Sequence, residues 1–183
     1  MHTFIAHLSQ SVFHFNRKLL LAGALIAAAP TITSCAKQNK PQDAAAATAE
    51  SDSIEARQMA KEEAFLAQKA KEPGIQSLGG GLLYKVLRAG KGAQPTSTSM
   101  VTVDYEGKLI DGTIFDSSYQ RGESANFPVS GVVPGWQITL KAMHEGDEWE
   151  VYIPQYLGYG ANASGNIPPY STLIFKIALK SVD

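Results

Sequence analysis

The sequence predicts an α+β fold: a curved antiparallel sheet with one apolar face, covered by one short amphipathic helix. Two observations carry this. Four segments between residues 82 and 182 read as strands, three of them alternating apolar and polar residues with period two, and only one stretch, between Val133 and Gly146, has helical spacing. Successive strands interrupted by a single helix suit a helix segregated to one side of an antiparallel sheet, not a chain of parallel strand–helix–strand units.

The elements follow in order. Leu82-Leu83-Tyr84-Lys85-Val86-Leu87-Arg88 reads as a strand, ended by Gly90-Lys91-Gly92. From Met100 to Leu109, Val101, Val103 and Tyr105 fall on one side and Thr102, Asp104 and Glu106 on the other, which means one buried face. Asp111-Gly112 is a hairpin signal, because glycine tolerates positive φ. Pro134 suits the first turn of a helix, with Trp136, Leu140 and Met143 at i, i+4 and i+7. Lys141 and His144 would lie in its last turn, where cations are favoured, and Gly146 would end it. Trp149, Val151 and Ile153 then alternate with Glu148, Glu150 and Tyr152. Leu173, Phe175, Ile177 and Leu179 alternate with Ile174, Lys176, Ala178 and Lys180.

Composition narrows the chemistry. The 183 residues are 44% hydrophobic and 18% charged, as expected of a globular domain with additions. No basic block or basic-aromatic stripe occurs, so nucleic acid is excluded as a partner. Three of the four histidines (His2, His7, His14) precede the sole cysteine, Cys35, and only His144 follows it. A clustered Cys/His zinc site is not available, a nucleophile–histidine pair would have to use His144, and no metal or cofactor is expected.

The N-terminus reads as an address. Arg17-Lys18 precedes Leu19 to Ala29, eleven residues without a polar side chain. As a helix these span about 16 Å, too short for a bilayer core of roughly 30 Å. A basic flank, a short apolar run and small residues describe a secretory signal. Ile32-Thr33-Ser34-Cys35 resembles the lipobox of bacterial lipoproteins, which implies acylation of Cys35 and cleavage before it; a plain signal peptide with an incidental cysteine is the alternative. Ala36, where aspartate would direct retention elsewhere, resembles an outer-membrane destination facing the periplasm of a bacterial cell envelope. Ala36 to Ser53 has few large apolar residues and reads as a flexible tether. Ile54 to Lys71 reads as a helix capped by Ser53, with sparse apolar positions at Ile54, Met59, Phe65 and Leu66, stopped by Pro73-Gly74. Gly79-Gly80-Gly81 reads as a flexible lead into the domain.

Val101-Thr102-Val103-Asp104-Tyr105-Glu106-Gly107, Asp111-Gly112-Thr113-Ile114-Phe115-Asp116, Val132-Val133-Pro134-Gly135-Trp136, Tyr159-Gly160, Ile167-Pro168-Pro169 and Leu173-Ile174-Phe175 occur in that order. This series resembles the FKBP-type peptidyl-prolyl cis-trans isomerases from about Gly81 to Val182. The resemblance implies a half-barrel sheet wrapped round one short helix. It divides the chain into a lipoprotein signal peptide (1–34), a lipid-anchored tether (35–53), a helical spacer (54–77) and an FKBP-type domain (78–183). The helix before the domain is a solvated spacer or, by similarity to the macrophage infectivity potentiator group, a dimerisation helix; a monomer or weak dimer is expected.

The resemblance also implies the site. Tyr105, Asp116, Tyr159 and Phe175 correspond to catalytic positions. Phe115, Arg121, Phe127, Val132, Val133, Trp136 and Ile167 correspond to substrate-binding positions, with the Trp136 ring as the floor of a proline pocket. Tyr159 would donate from its hydroxyl, and Val133 from its backbone N–H, to the bound peptide. Asp116 would lie close to Tyr105 and Arg121. Read without the family, Tyr105, Trp136 and Phe175 are core first, as aromatics on inward faces usually are, while Asp116 serves equally as a turn cap and Arg121 as a surface residue. The chain departs from the family at Ala125, where many members carry an aromatic wall residue, at Gly131, which replaces a common acidic residue, and in the short loop Ala161 to Asn166. The implied partners are proline-containing polypeptides exported to the envelope, whose folding isomerisation assists, and the macrolide inhibitors of the family. Rotation about an Xaa-Pro bond breaks no covalent bond, so it needs no nucleophile or metal. A non-catalytic chaperone or binding module using the same apolar pocket is the alternative.

Overall fold

The computed structural model describes residues 41–183. The signal peptide, Cys35 and residues 36–40 of the tether lie outside the described residues.

The domain is built round one strand. β7 (Leu173–Val182) pairs antiparallel with β6 (Glu148–Ile153) on one side and β3 (Met100–Lys108) on the other. β2 (Leu82–Arg88) and β1 (Ile75–Gly79) extend the sheet beyond β6. The other edge of β3 is shared by β4 (Ile114–Ser117) and β5 (Ala125–Pro128), giving the order β1-β2-β6-β7-β3-β4 with β5 also on β3. Every pairing is antiparallel. The alternation in β3 is realised as expected, with Val101, Val103 and Tyr105 buried. They face the same core as Trp149, Val151 and Ile153 of β6 and Leu173, Phe175, Ile177 and Leu179 of β7.

α3 (Pro134–Ala142) fills the concavity of this sheet. Its Trp136, Leu140 and the following Met143 are buried, the last two completely. The helix stops earlier than the sequence suggests. Met143 is extended at φ −82 and ψ 158, so His144 lies past the last turn. Gly146 (φ +93) belongs to the next turn, where the Asp147 carboxylate accepts the backbone N–H groups of His144 and Gly90. α3 is also accompanied by a short helix, α2 (Ser118–Arg121), capped by the Ser117 hydroxyl and closed by left-handed Gly122.

The sheet is not apolar on one face alone. Leu83, Tyr152 and Ile174 are buried on the convex side under Phe65 and Leu66. These come from α1 (Pro41–Lys69), which begins twelve residues before the expected cap at Ser53, inside the stretch read as a tether. Ala44 to Ala47 lies in its first turns, and alanine is the strongest helix former. Ile54 and Met59 are exposed, so only half of the sparse apolar positions meet the domain. Gly79-Gly80-Gly81 is likewise not a loose lead. All three glycines take positive φ (90, 53 and 69) and form the turn that joins β1 to β2.

Leu140→Ala should lower the free energy of unfolding by about 2–5 kcal/mol in denaturant titrations, because it opens a cavity between helix and sheet.

Candidate active site

The strand register assembles the site. Gly107 of β3 lies between Phe175 of β7 and Asp116 of β4. The partner of Lys108 is Ile114 and that of Gly107 is Asp116, so Phe115 is an extra residue on β4. Such a bulge re-aims side chains, and here Phe115 and Asp116 both line the same cleft. A Cβ on Gly107 would stand 2.6 Å from Phe115 Cε2 and 2.7 Å from Phe175 Cε1. Only a residue without a side chain lets these two rings meet edge to face, at 5.5 Å and 85°.

Trp136, 4% exposed, forms the floor. Its ring is perpendicular to those of Phe175 (5.1 Å) and Tyr105 (5.4 Å) and meets Phe127 at 5.9 Å. Edge-to-face packing places the positive rim of one ring against the negative face of another, and each such pair adds about 0.5–1.5 kcal/mol beyond burial. The concavity so lined has a volume of about 640 Å³.

Polar groups gather at one side. The Tyr105 hydroxyl donates to Asp116 Oδ2, Arg121 Nη1 donates to Asp116 Oδ1, and Arg121 Nη2 donates to the Tyr105 hydroxyl at 3.0 Å. α2 brings Arg121 there, with its guanidinium 5.4 Å from the centre of the Tyr105 ring. Burial, followed by the hydrogen bond to the Asp116 carboxylate, pushes the Tyr105 phenol above its ordinary value. The hydrogen bonds to Tyr105 and Asp116 likewise raise Arg121. Across the cleft, neither the Tyr159 hydroxyl nor the Val133 N–H donates to another group among the described residues. Both residues line the cleft.

Tyr105, Phe115, Asp116, Phe127, Val132, Val133, Trp136, Tyr159, Ile167 and Phe175 all line this one cleft, and Arg121 reaches it through Asp116 and Tyr105. Gly131, Ser164, Gly165 and Asn166 complete the wall and were not among the expected site residues. The last three are polar or small and carry no periodic signal. Their place is set by a bridge in which Ser164 and Ile167 exchange backbone hydrogen bonds of 3.0 and 2.9 Å.

A curved antiparallel sheet closed over a helix, with an aromatic cup at one end, is the arrangement that the sequence resemblance implies. Residues 91–180 match the FKBP-type peptidyl-prolyl cis-trans isomerase family, and residues 5–86 match the domain amino terminal to FKBP-type peptidyl-prolyl isomerase. The chain is 51% identical over 123 residues to the peptidyl-prolyl cis-trans isomerase Mip of Coxiella burnetii, covering 67% of this chain and 54% of that protein. It is 50% identical over 124 residues to the outer membrane protein MIP of Legionella longbeachae, covering 67% and 53%. The crystal structure of FkpA from Escherichia coli superposes with a TM-score of 0.71 at 40% identity, covering 78% of this chain and 67% of that one. The chain belongs to the FKBP-type peptidyl-prolyl cis-trans isomerases. It spans about half the length of the curated relatives it matches.

Gly107→Ala should force the Phe115 and Phe175 rings apart and destabilise the domain by about 1–3 kcal/mol, read by denaturant titration. A raised phenol pKa means that the native state favours neutral Tyr105. That contribution is fully present below the unfolded-state value of about 10 and is lost as pH rises through the higher native value. Stability measured from pH 9 upward should therefore fall less steeply for Tyr105→Phe than for the wild type.

Proposed function

We propose that this chain catalyses cis–trans isomerisation of Xaa-Pro peptide bonds in exported proteins and so assists their folding. The observation that supports this best is the aromatic cup of Trp136, Phe175, Tyr105 and Phe127, with two donors beside it, the Tyr159 hydroxyl and the Val133 N–H, that have no partner among the described residues. A proline ring fits such a cup without leaving a polar group unsatisfied, because proline has no backbone N–H.

The barrier to be lowered is about 18–20 kcal/mol and arises from resonance that keeps the amide planar and polar. A twisted amide has lost much of that polarity. An apolar pocket therefore disfavours the planar ground state more than the twisted transition state, which is differential binding. Tyr159 and the Val133 N–H hold carbonyls of the flanking peptide. Asp116, fixed by Tyr105 and Arg121, sets the local field beside the rotating amide. The reaction needs only these roles.

We further infer that the protein is anchored by lipid at Cys35 in a bacterial cell envelope, at the outer membrane. The lipobox-like Ile32-Thr33-Ser34-Cys35 supports this, as does the outer-membrane name of the Legionella longbeachae relative. More than one acyl chain, each CH₂ contributing about 0.8 kcal/mol, makes a stable anchor.

The test is isomerisation of Xaa-Pro peptides by the full chain. Phe175→Ala should lower kcat/KM by about ten- to a hundredfold, since it removes roughly 1.5–3 kcal/mol of apolar contact. Tyr159→Phe should lower it by about two- to tenfold, the worth of one hydrogen bond. A wild-type rate equal to the uncatalysed one would overturn the reading. Incorporation of labelled fatty acid that disappears in Cys35→Ser checks the anchor; label retained in that variant would remove it.

A further inference from the structure

The side of α1 turned toward the domain is mostly polar. Gln58, Glu62, Phe65, Leu66 and Lys69 are at least partly buried and follow one helical face. Glu62 is 4% exposed. One of its carboxylate oxygens accepts from Gln58 Nε2 at 2.6 Å and the other accepts the backbone N–H of Thr172 at 3.0 Å. Two turns earlier, Glu55 Oε2 accepts from the Tyr170 hydroxyl at 2.9 Å. The helix thus holds both ends of the Tyr170–Thr172 segment.

That segment is short and stiff. It follows Ile167 through Pro168-Pro169, whose rings fix φ. The Ser171 hydroxyl donates to the Pro168 carbonyl at 2.8 Å, and the Tyr170 N–H donates to the Gly160 carbonyl at 2.7 Å. Tyr170 has φ +60, a conformation uncommon outside glycine that persists only where the surroundings hold it. On its other side the segment continues into the Ser164–Ile167 wall of the cleft. For adhesion alone a buried carboxylate is a poor choice, because its burial is costly unless donors surround it, and an apolar residue would dock the helix at less cost. What a carboxylate adds is a fixed, charged acceptor for one particular backbone N–H.

We infer that Glu62 is a positioning residue: through Thr172 it sets the place of the loop carrying Ile167, and with it the wall of the pocket that meets residues flanking the substrate proline. The inference rests on the proposed isomerase reading. Misplacing a wall weakens binding of ground state and transition state together, so the effect falls on KM and not on kcat.

The experiment uses the full chain and the variants Glu62→Ala and Glu62→Gln. Amide hydrogen exchange and isomerisation kinetics are measured well below the unfolding temperature. In Glu62→Ala, exchange at Thr172 should quicken by roughly ten- to a hundredfold, the worth of a hydrogen bond to a charged acceptor. Exchange across residues 164–167 should quicken with it, and KM should rise severalfold at unchanged kcat. Glu62→Gln keeps an acceptor and should restore all three values toward those of the wild type. If Glu62→Ala does not fold, Glu62→Leu, which fills the site without an acceptor, is measured in its place. Faster exchange at Thr172 with unchanged exchange across 164–167, or with unchanged KM, overturns the inference. A wild type that does not isomerise sinks the isomerase reading by itself, and exchange across 164–167 still decides whether Glu62 positions the loop.

Discussion

The site depends on the register of β7 against β3. With a side-chain period of two, a slip of one residue would turn Phe175 to the convex face and carry Ile174 and Lys176 inward. The observed register sets Phe175 opposite Gly107, the one position in β3 without a side chain, and Gly107 opposite Asp116. A missing Cβ, an aromatic ring and a carboxylate are thereby brought into one row across three strands. The bulge at Phe115 adds a second ring to the same place, and Trp136 rises from α3 to close the floor.

The polar side of the cleft has a different physical standing. The Asp116–Arg121 ion pair is about two-fifths exposed on both sides, and ion pairs so placed contribute little to stability. Its value is geometric. Arg121 comes from α2, Asp116 from β4 and Tyr105 from β3, and three-way hydrogen bonding holds the carboxylate in one orientation beside an apolar floor. The apolar rings hold the domain together, whereas the polar group is held by it.

The inner face was legible residue by residue. Val101, Val103, Tyr105, Trp149, Val151, Ile153, Phe175, Ile177 and Leu179 alternate in the sequence and are buried in the structure. The family pattern brought Asp116, Arg121 and Tyr159 to the same cleft. The outer face was not legible. Tyr152 and Ile174 stand in the polar half of their strands, yet both are buried, because Phe65 and Leu66 of α1 lie over them. The helix itself could be read, but its docking could not. A face made of Gln58, Glu62 and Lys69 has no apolar stripe, and two hydrophobic residues do not reveal where a helix lands.

By itself the sequence determined the strands β2, β3, β6 and β7, the central helix, the family and the identity of the aromatic cup, because each is encoded in local periodicity or in an ordered motif; the short strands β1, β4 and β5 were not read from it. Tertiary structure alone decided that Ser164, Gly165 and Asn166 form a wall of the cleft and that Phe115 is bulged. It also decided that Glu62 reaches a backbone N–H 110 residues away. These features rest on single contacts between distant segments. A contact of that kind leaves no period in the chain, since it requires only one suitable atom at each end and a fold that brings the two together.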